Sequence, residues 1–363
     1  MMFSADLKSI VDDFFARYEG ESDSSSVWSS AVDMDWMEIG VHESLGGAGG
    51  TVADLAEIAA GVGRHAIPLP IWQTALAFSV LATAGLPVER ALGGAIVIDE
   101  PDLVQVDSES GPWKVSLAVK EVGIPEHVAT VVIIGEHGGT GWVGVIDRAQ
   151  LPAAHGQSLA GDPLHDLALD GVVVDADSAA AVPPECFDEL RIRTMLLQAA
   201  TIAGGVSRIC DLAREHVQTR EQFGRPLIAL QAVAHRLADM VIQRDLLEAV
   251  LQEALIRPAR ETASAALVVA VQTADIVARE AHMLHGAMGV TEEHVLRRFT
   301  TRLWEAAIEV RCARAQAETL GAAVRAGAGD TALWDISTPG PHAETSADEA
   351  PHQLAIPLAE APR

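Results

Sequence analysis

Arginine, glutamine and one aromatic side chain gather in a short stretch of this chain: Arg220, Gln222, Phe223, Gly224, Arg225 and Pro226, with Gln231 soon after. A guanidinium grips phosphate oxygens as a two-pronged fork, and an aromatic edge gives a purine or ribose an apolar wall. Gly224 and Pro226 equally suit a plain loop that stops one helix and starts the next. A second group, His285, Gly286, Ala287, Met288 and Gly289, is small enough to let backbone approach a ligand, and it also fits a turn between helices. His282 and His285 share a helix face, but with no carboxylate or cysteine companion they give no reason to expect a metal site.

These residues need helices to position them, and the apolar pattern supplies them. Ile192, Met195, Ala199, Ile202, Val206, Ile209, Ala213 and Val217 recur at steps of three and four, as one continuous stripe. A second stripe follows along Leu227, Leu230, Ala234, Leu237 and Val241. The spacing predicts a four-helix bundle over residues 185–326, with helices at about 187–217, 226–256, 260–286 and 293–325. Apolar stretches such as Ala265–Val271 exceed one core stripe, which predicts that a second subunit covers them, the alternative being burial under the N-terminal domain. Residues 93–184 carry short β-branched runs, among them 95–98, 115–119, 129–134, 142–146 and 167–174, as in a small β-domain. Residues 1–92 read as short helices with breaks at Gly46–Gly50 and at Pro68-Leu69-Pro70. Residues 327–363 form an acidic, Pro-rich and largely disordered tail. The fold class is therefore mainly α with a small central β-domain.

Composition excludes several classes of function. With 25 basic against 51 acidic residues, a net charge of −26, the chain has no basic stripe with which to neutralise nucleic-acid phosphates. Cys186, Cys210 and Cys312 are far apart and form no CxxC pair, which suits a reducing cytoplasm better than a disulfide framework. The acidic N-terminal segment lacks the apolar core of a signal peptide, and no apolar run approaches the roughly 18 residues that span a bilayer. A cytoplasmic location and no membrane partner are expected.

The stretch Arg220–Pro226, continued by Gln231, His235, Leu237, Ala238, Asp239 and Met240, resembles the signature of the acyl-CoA dehydrogenase family, flavoproteins that desaturate the α,β bond of an acyl-CoA. Residues 34–70 resemble the family's N-terminal helical domain and 282–302 its last helix pair, so the likeness runs in order over about residues 1–326. The resemblance implies an N-terminal helical domain, a reduced β-barrel domain, a C-terminal four-helix bundle and FAD as cofactor. It also implies that Arg220 faces the flavin pyrophosphate across a subunit interface, with Phe223 near the adenosine half and Gln222 and Gln231 close by. Gly286 and Gly289 would form the second cofactor segment. Met283 and Ala287 depart there from the family's usual Gln and Gly. An acyl-CoA is polyanionic, so its site would be a basic island in a negative field.

Other departures bear on catalysis. The middle region is short; Asp99-Glu100-Pro101-Asp102 is not followed by the family's Gly-Ser-Asp, and Trp113 precedes Lys114 and Val115 rather than Ile-Ser/Thr. The resemblance thus implies that this subunit alone holds the isoalloxazine ring poorly. A carboxylate must take the substrate's α-proton, yet the family's two positions for it carry Val310 and Thr194. Glu309 is one residue away, a turn of about 100° on a helix, and Glu305 and Glu189 are more remote. The pattern Gly289, Thr291, Glu293, His294, Leu296, Arg302 resembles in particular the non-catalytic partner chains of bacterial heteromeric steroid side-chain acyl-CoA dehydrogenases. Those are heterotetramers of two chain types, with FAD at the interface and the base on the partner. The alternatives are a self-sufficient homomeric enzyme using Glu309 or Glu305, and a flavin-free scaffold or acyl-CoA-binding protein.

Overall fold

Thr51 starts a helix by capping it. Its hydroxyl accepts from the Asp54 N–H at 3.3 Å while the Asp54 carboxylate accepts from the Thr51 N–H at 2.8 Å. In this computed structural model the helices that come first are α1 (Ala5–Ala16), α2 (Ser24–Asp33), α3 (Val52–Arg64, the one Thr51 caps), α4 (Ile71–Ala84) and the one-turn α5 (Glu89–Leu92). Pro70 precedes α4, and Gly85, at φ 68°, ends it. The described residues are 5–18, 24–99, 104–107, 113–137, 139–175, 177–291 and 294–309, with 318 and 320–322 besides. Val310, Cys312 and the tail expected from 327 lie outside them. The chain divides into the unit Met1–Leu320, which holds all the named elements, and Gly321–Arg363.

The β region contains β1 (Ala95–Asp99), β2 (Val104–Asp107), β3 (Trp113–Gly123), β4 (Thr130–His137), β5 (Thr140–Asp147), β6 (Gly156–Gln157), β7 (Pro163–Val174) and β8 (Ala179–Val182). They form two four-stranded sheets, ordered β1-β4-β5-β8 and β2-β3-β7-β6. The strand period of two explains how the first sheet is used on both faces. On β4, Val131 and Ile133 join Leu117, Trp142 and Leu167 in the core between the sheets, whereas Val132 and Ile134 belong to the core of the helices. The five runs read from sequence are β1, β3, β4, β5 and β7; β2, β6 and β8 are too short to carry a period.

The C-terminal helices are α6 (Glu185–Thr219), α7 (Gln231–Ile256), α8 (Arg260–His285) and α9 (Val295–Glu309), with β9 (Glu221–Gln222) and β10 (Arg225–Pro226) between α6 and α7. α7 starts at 231 rather than 226 because the Leu227 N–H turns back to the Arg220 carbonyl at 2.9 Å. One expectation is corrected here. Ala265–Val271 is not surplus surface: α8 packs on α6, α7 and α9, and that stretch is buried or half-buried within the chain. Exposed apolar residues of the bundle include Ile242 and Leu246 on α7, 60% and 48% exposed, Met283 on α8 and Ile308 on α9. Of the described residues, Arg260–Val290 is long and apolar enough to cross a bilayer by composition, contrary to the sequence reading, but over half of its most apolar window is buried in this bundle.

α6 joins every layer. Arg191 forks onto the Asp99 carboxylate of β1 at 2.6 and 3.0 Å, and the half-buried Arg193 donates to the Gly40 carbonyl at 2.8 Å and to the Ser79 hydroxyl at 3.2 Å. α3 and α6 meet backbone to backbone. A methyl at Gly204 would overlap the Ala60 carbonyl oxygen, and one at Gly63 would overlap that of Thr201. Neither helix can move without losing its other contacts. Gly204→Ala is therefore expected to lower stability by about 1–3 kcal/mol in chemical denaturation. Gly205→Ala, whose methyl would meet Leu303 Cδ1 at 3.3 Å and nothing nearer, should change it by less than about 1 kcal/mol.

Candidate functional site

The end of α6 becomes a hairpin in which Gln222 pairs with Arg225 and Glu221 with Pro226. Two residues, Phe223 and Gly224, make its turn at φ 55° and 73°, the left-handed pair that suits the twist of a tight hairpin. Glycine takes that conformation freely; an L-residue with a bulky side chain is strained there by about 1–2 kcal/mol. The strain puts Phe223 at the hairpin tip, 86% exposed. Arg220, Gln222 and Arg225 are exposed beside it, and among the described residues no carboxylate pairs with either arginine. Gln231, also exposed, opens α7, whose N-cap Leu230 supplies no side-chain cap, so the positive end of that helix dipole faces the same loop. In a chain of net charge −26 this is a local basic island.

The second segment comes to the first through histidines. The His216 ring, one turn before Arg220, stacks on His285 with centroids 4.3 Å apart, and His294 meets His285 edge-on at 4.9 Å. Burial, with His216 and His294 adding repulsion, pushes the His285 pKa down to about 4. Gly286, at φ 63°, is exposed and open, with room for a ligand against its backbone. Gly289 is different: it is buried, and a Cβ there would sit 2.9 Å from His285 Cβ and 3.2 Å from Leu296 Cδ2. Packing by itself accounts for a glycine at 289. His282 points elsewhere, stacking on Trp304 with Nε2 3.0 Å from Thr300 Oγ1. His216 and His294 were missed in the sequence because three separate elements bring them to His285.

The carboxylate candidates divide. Thr194 spends its hydroxyl on the Leu190 carbonyl at 2.9 Å and offers no base. Glu189 is exposed, and Glu309 is the last residue of α9. Glu305 is buried at a cleft of about 100 Å³ that is also lined by Trp72, Gln73, Thr201, Phe299 and Arg302. Desolvation holds its carboxyl above the usual range, against the hydrogen bond from Ser158 and the nearby charge of Arg302. Arg302 in turn pairs with Asp162, tying α9 to the β6–β7 turn. Trp72 Nε1 and Gln73 Oε1 have no hydrogen-bond partner among the described residues, so the cleft wall carries both an idle donor and an idle acceptor.

Residues 186–308, from α6 to α9, match the family model described as acyl-CoA dehydrogenase, C-terminal domain. The acyl-CoA dehydrogenase IpdE2 of Mycobacterium tuberculosis is 28% identical over 306 residues, covering 73% of this chain and 82% of that protein. From α6 to α9 the chain therefore carries the acyl-CoA dehydrogenase C-terminal domain. Its fold is that of the family: the ChsE4–ChsE5 complex from Mycobacterium tuberculosis aligns with a TM-score of 0.76 at 22% identity, over 88% of this chain and 96% of that one. The Tcur3481–Tcur3483 steroid acyl-CoA dehydrogenase aligns with a TM-score of 0.77 at 22% identity, over 89% and 98%.

Acyl-CoA dehydrogenases are FAD-dependent oxidoreductases, and the residues present fit one half of that cofactor. Unpaired, exposed guanidinium groups, an exposed ring and an uncapped helix end suit a pyrophosphate and an adenosine. The family's ring-binding segment is less well represented, since Asp99 is taken by Arg191 and Trp113 packs on Trp142 at 5.9 Å. Phe223 is exposed and held at positive φ. Phe223→Gly should leave the free chain as stable or more stable in thermal melts, because glycine relieves the left-handed strain. It should also lower flavin retention in the assembled protein. A clear loss of free-chain stability would place the Phe223 ring in this chain's own packing.

Proposed function

We propose that this chain is the flavin-sharing, non-catalytic subunit of a cytoplasmic heteromeric acyl-CoA dehydrogenase that desaturates a bulky acyl-CoA, such as a steroid side-chain thioester. The observation that carries this reading is the hairpin, which projects Phe223 away from its own bundle beside the unpaired Arg220. Bound FAD supplies the hydride acceptor for the β-carbon. Arg220 grips the pyrophosphate of a flavin seated mainly in a homologous partner, Phe223 walls its adenosine, and Gln222, Gln231 and Gly286 complete the cradle. The exposed Ile242 and Leu246 on α7 suit a partner-covered helix face. Thr194 cannot accept the α-proton, so the partner supplies the base. Support also comes from relatives: ChsE4–ChsE5 is a complex of two different chains, and Tcur3481–Tcur3483 is a steroid enzyme.

A second reading has one observation in its favour. Glu305 is a buried carboxyl of raised pKa at a cleft, the condition of a general base. It would make the chain a self-sufficient homomer. The isolated chain supplied with FAD separates the two: no acyl-CoA turnover is expected, and turnover abolished by Glu305→Gln would establish the second reading instead. In the complex co-expressed with its partner, Arg220→Ala removes charge-assisted bonds worth about 1.5–3 kcal/mol and should cut flavin affinity roughly ten- to hundred-fold. Lys at this position restores part of it. Unchanged flavin content in an intact Arg220→Ala complex would show the loop to be structural only.

A further inference from the structure

The histidines between the two cofactor segments do more than stack. One ring nitrogen from each of His216, His285 and His294 lies within 4.8 Å of the others, and they come from the end of α6, the end of α8 and the turn before α9. We propose that these three imidazoles form a site for a borderline divalent transition cation of the Zn²⁺ type. The inference is independent of the flavin reading and rests on donor chemistry.

His285 is set up as a ligand. Its Nδ1–H donates to the Ala281 carbonyl at 2.8 Å, which fixes the tautomer that leaves the Nε2 lone pair available. A second-shell carbonyl of this kind is the usual partner of a metal-bound imidazole. Three histidines are a recognised donor set for zinc, with the fourth position left to water.

The geometry needs only a local adjustment. Bonds of about 2.0–2.1 Å to zinc place tetrahedral donors roughly 3.4 Å apart. His216 and His294 are only half-buried, so their rings can close that distance and give the cation a way in. His294 makes the larger change. Its Nδ1 accepts from the Leu296 N–H at 3.2 Å, so ligation through Nε2 shifts its proton to Nδ1 and gives up that bond at the start of α9. Among charged groups Arg220 opposes a cation here, while the chain's net −26 draws one from solution. A bound cation would tie the end of α6, which leads to Arg220, to the segment that holds Gly286.

The test uses the untagged full-length chain and titrates it with Co²⁺, then Zn²⁺, reading the visible ligand-field absorption and the heat of binding. The expected result is one cation per chain, a tetrahedral-type Co²⁺ spectrum that Zn²⁺ abolishes, and affinity weakened at least about ten-fold in His216→Gln and in His294→Gln. His235→Gln, on α7 outside the cluster, should bind as the unsubstituted chain does. Circular dichroism checks that each variant is folded. No binding by the folded chain at millimolar cation, or affinity unchanged from that of the unsubstituted chain in both cluster variants, would overturn the site and leave the rings as an aromatic stack.

Discussion

The backbones of α3 and α6 meet directly, and most of the rest of the structure depends on that contact. Gly63 and Gly204 each lie where a methyl would overlap a carbonyl oxygen of the other helix, so the two cross without side chains between them. That contact sets the direction of α6, a helix of 35 residues. From its first half Arg191 reaches the β region and Arg193 the Gly40 loop. Its far end holds His216 against His285 and gives way to the Arg220 hairpin. The rigid crossing near the middle of α6 therefore fixes where both of its ends lie, including the one that leads into the Arg220 hairpin.

The site is arranged so that attraction and exposure fall in the same place. Acidic residues outnumber basic ones two to one across the chain, yet Arg220 and Arg225 have no carboxylate partner among the described residues, beside the uncapped start of α7. The arginines elsewhere on α6 and α9 are occupied: Arg191 by Asp99, Arg302 by Asp162. The contrast separates guanidinium groups that hold this chain together from those directed outward. Phe223, exposed and at positive φ, belongs with the second kind, because neither its conformation nor its exposure gains anything from its own subunit.

The carboxylates follow the same division less completely. Glu305 is buried at the α9 cleft but is engaged by Ser158 and lies near Arg302 and Asp162, so it serves the junction between α9 and the β region whatever else it does. Thr194, at the family's other base position, is closed in a helix-internal hydrogen bond. The exposed guanidinium groups of Arg220 and Arg225 and the Phe223 ring, by contrast, are engaged by no carboxylate or aromatic ring among the described residues.

The helices and the longer strands were legible in the sequence because their periods of 3.6 and two survive any change of neighbours, as in the stripe from Ile192 to Val217. The hairpin residues were legible as well, since Arg220, Phe223 and Gly224 lie within one turn and act locally. Short-range pattern could not say which apolar stretches face the interior: Ala265–Val271 reads as surplus until α6, α7 and α9 close around it. Nor could it separate Gly286, kept for its backbone conformation in open space, from Gly289, kept because a side chain would strike His285. The meeting of His216, His285 and His294, and the burial of Glu305 at a cleft, depend on elements far apart in the chain. Tertiary packing alone decides such contacts, because spacing along a chain carries no information about which distant helix ends will meet.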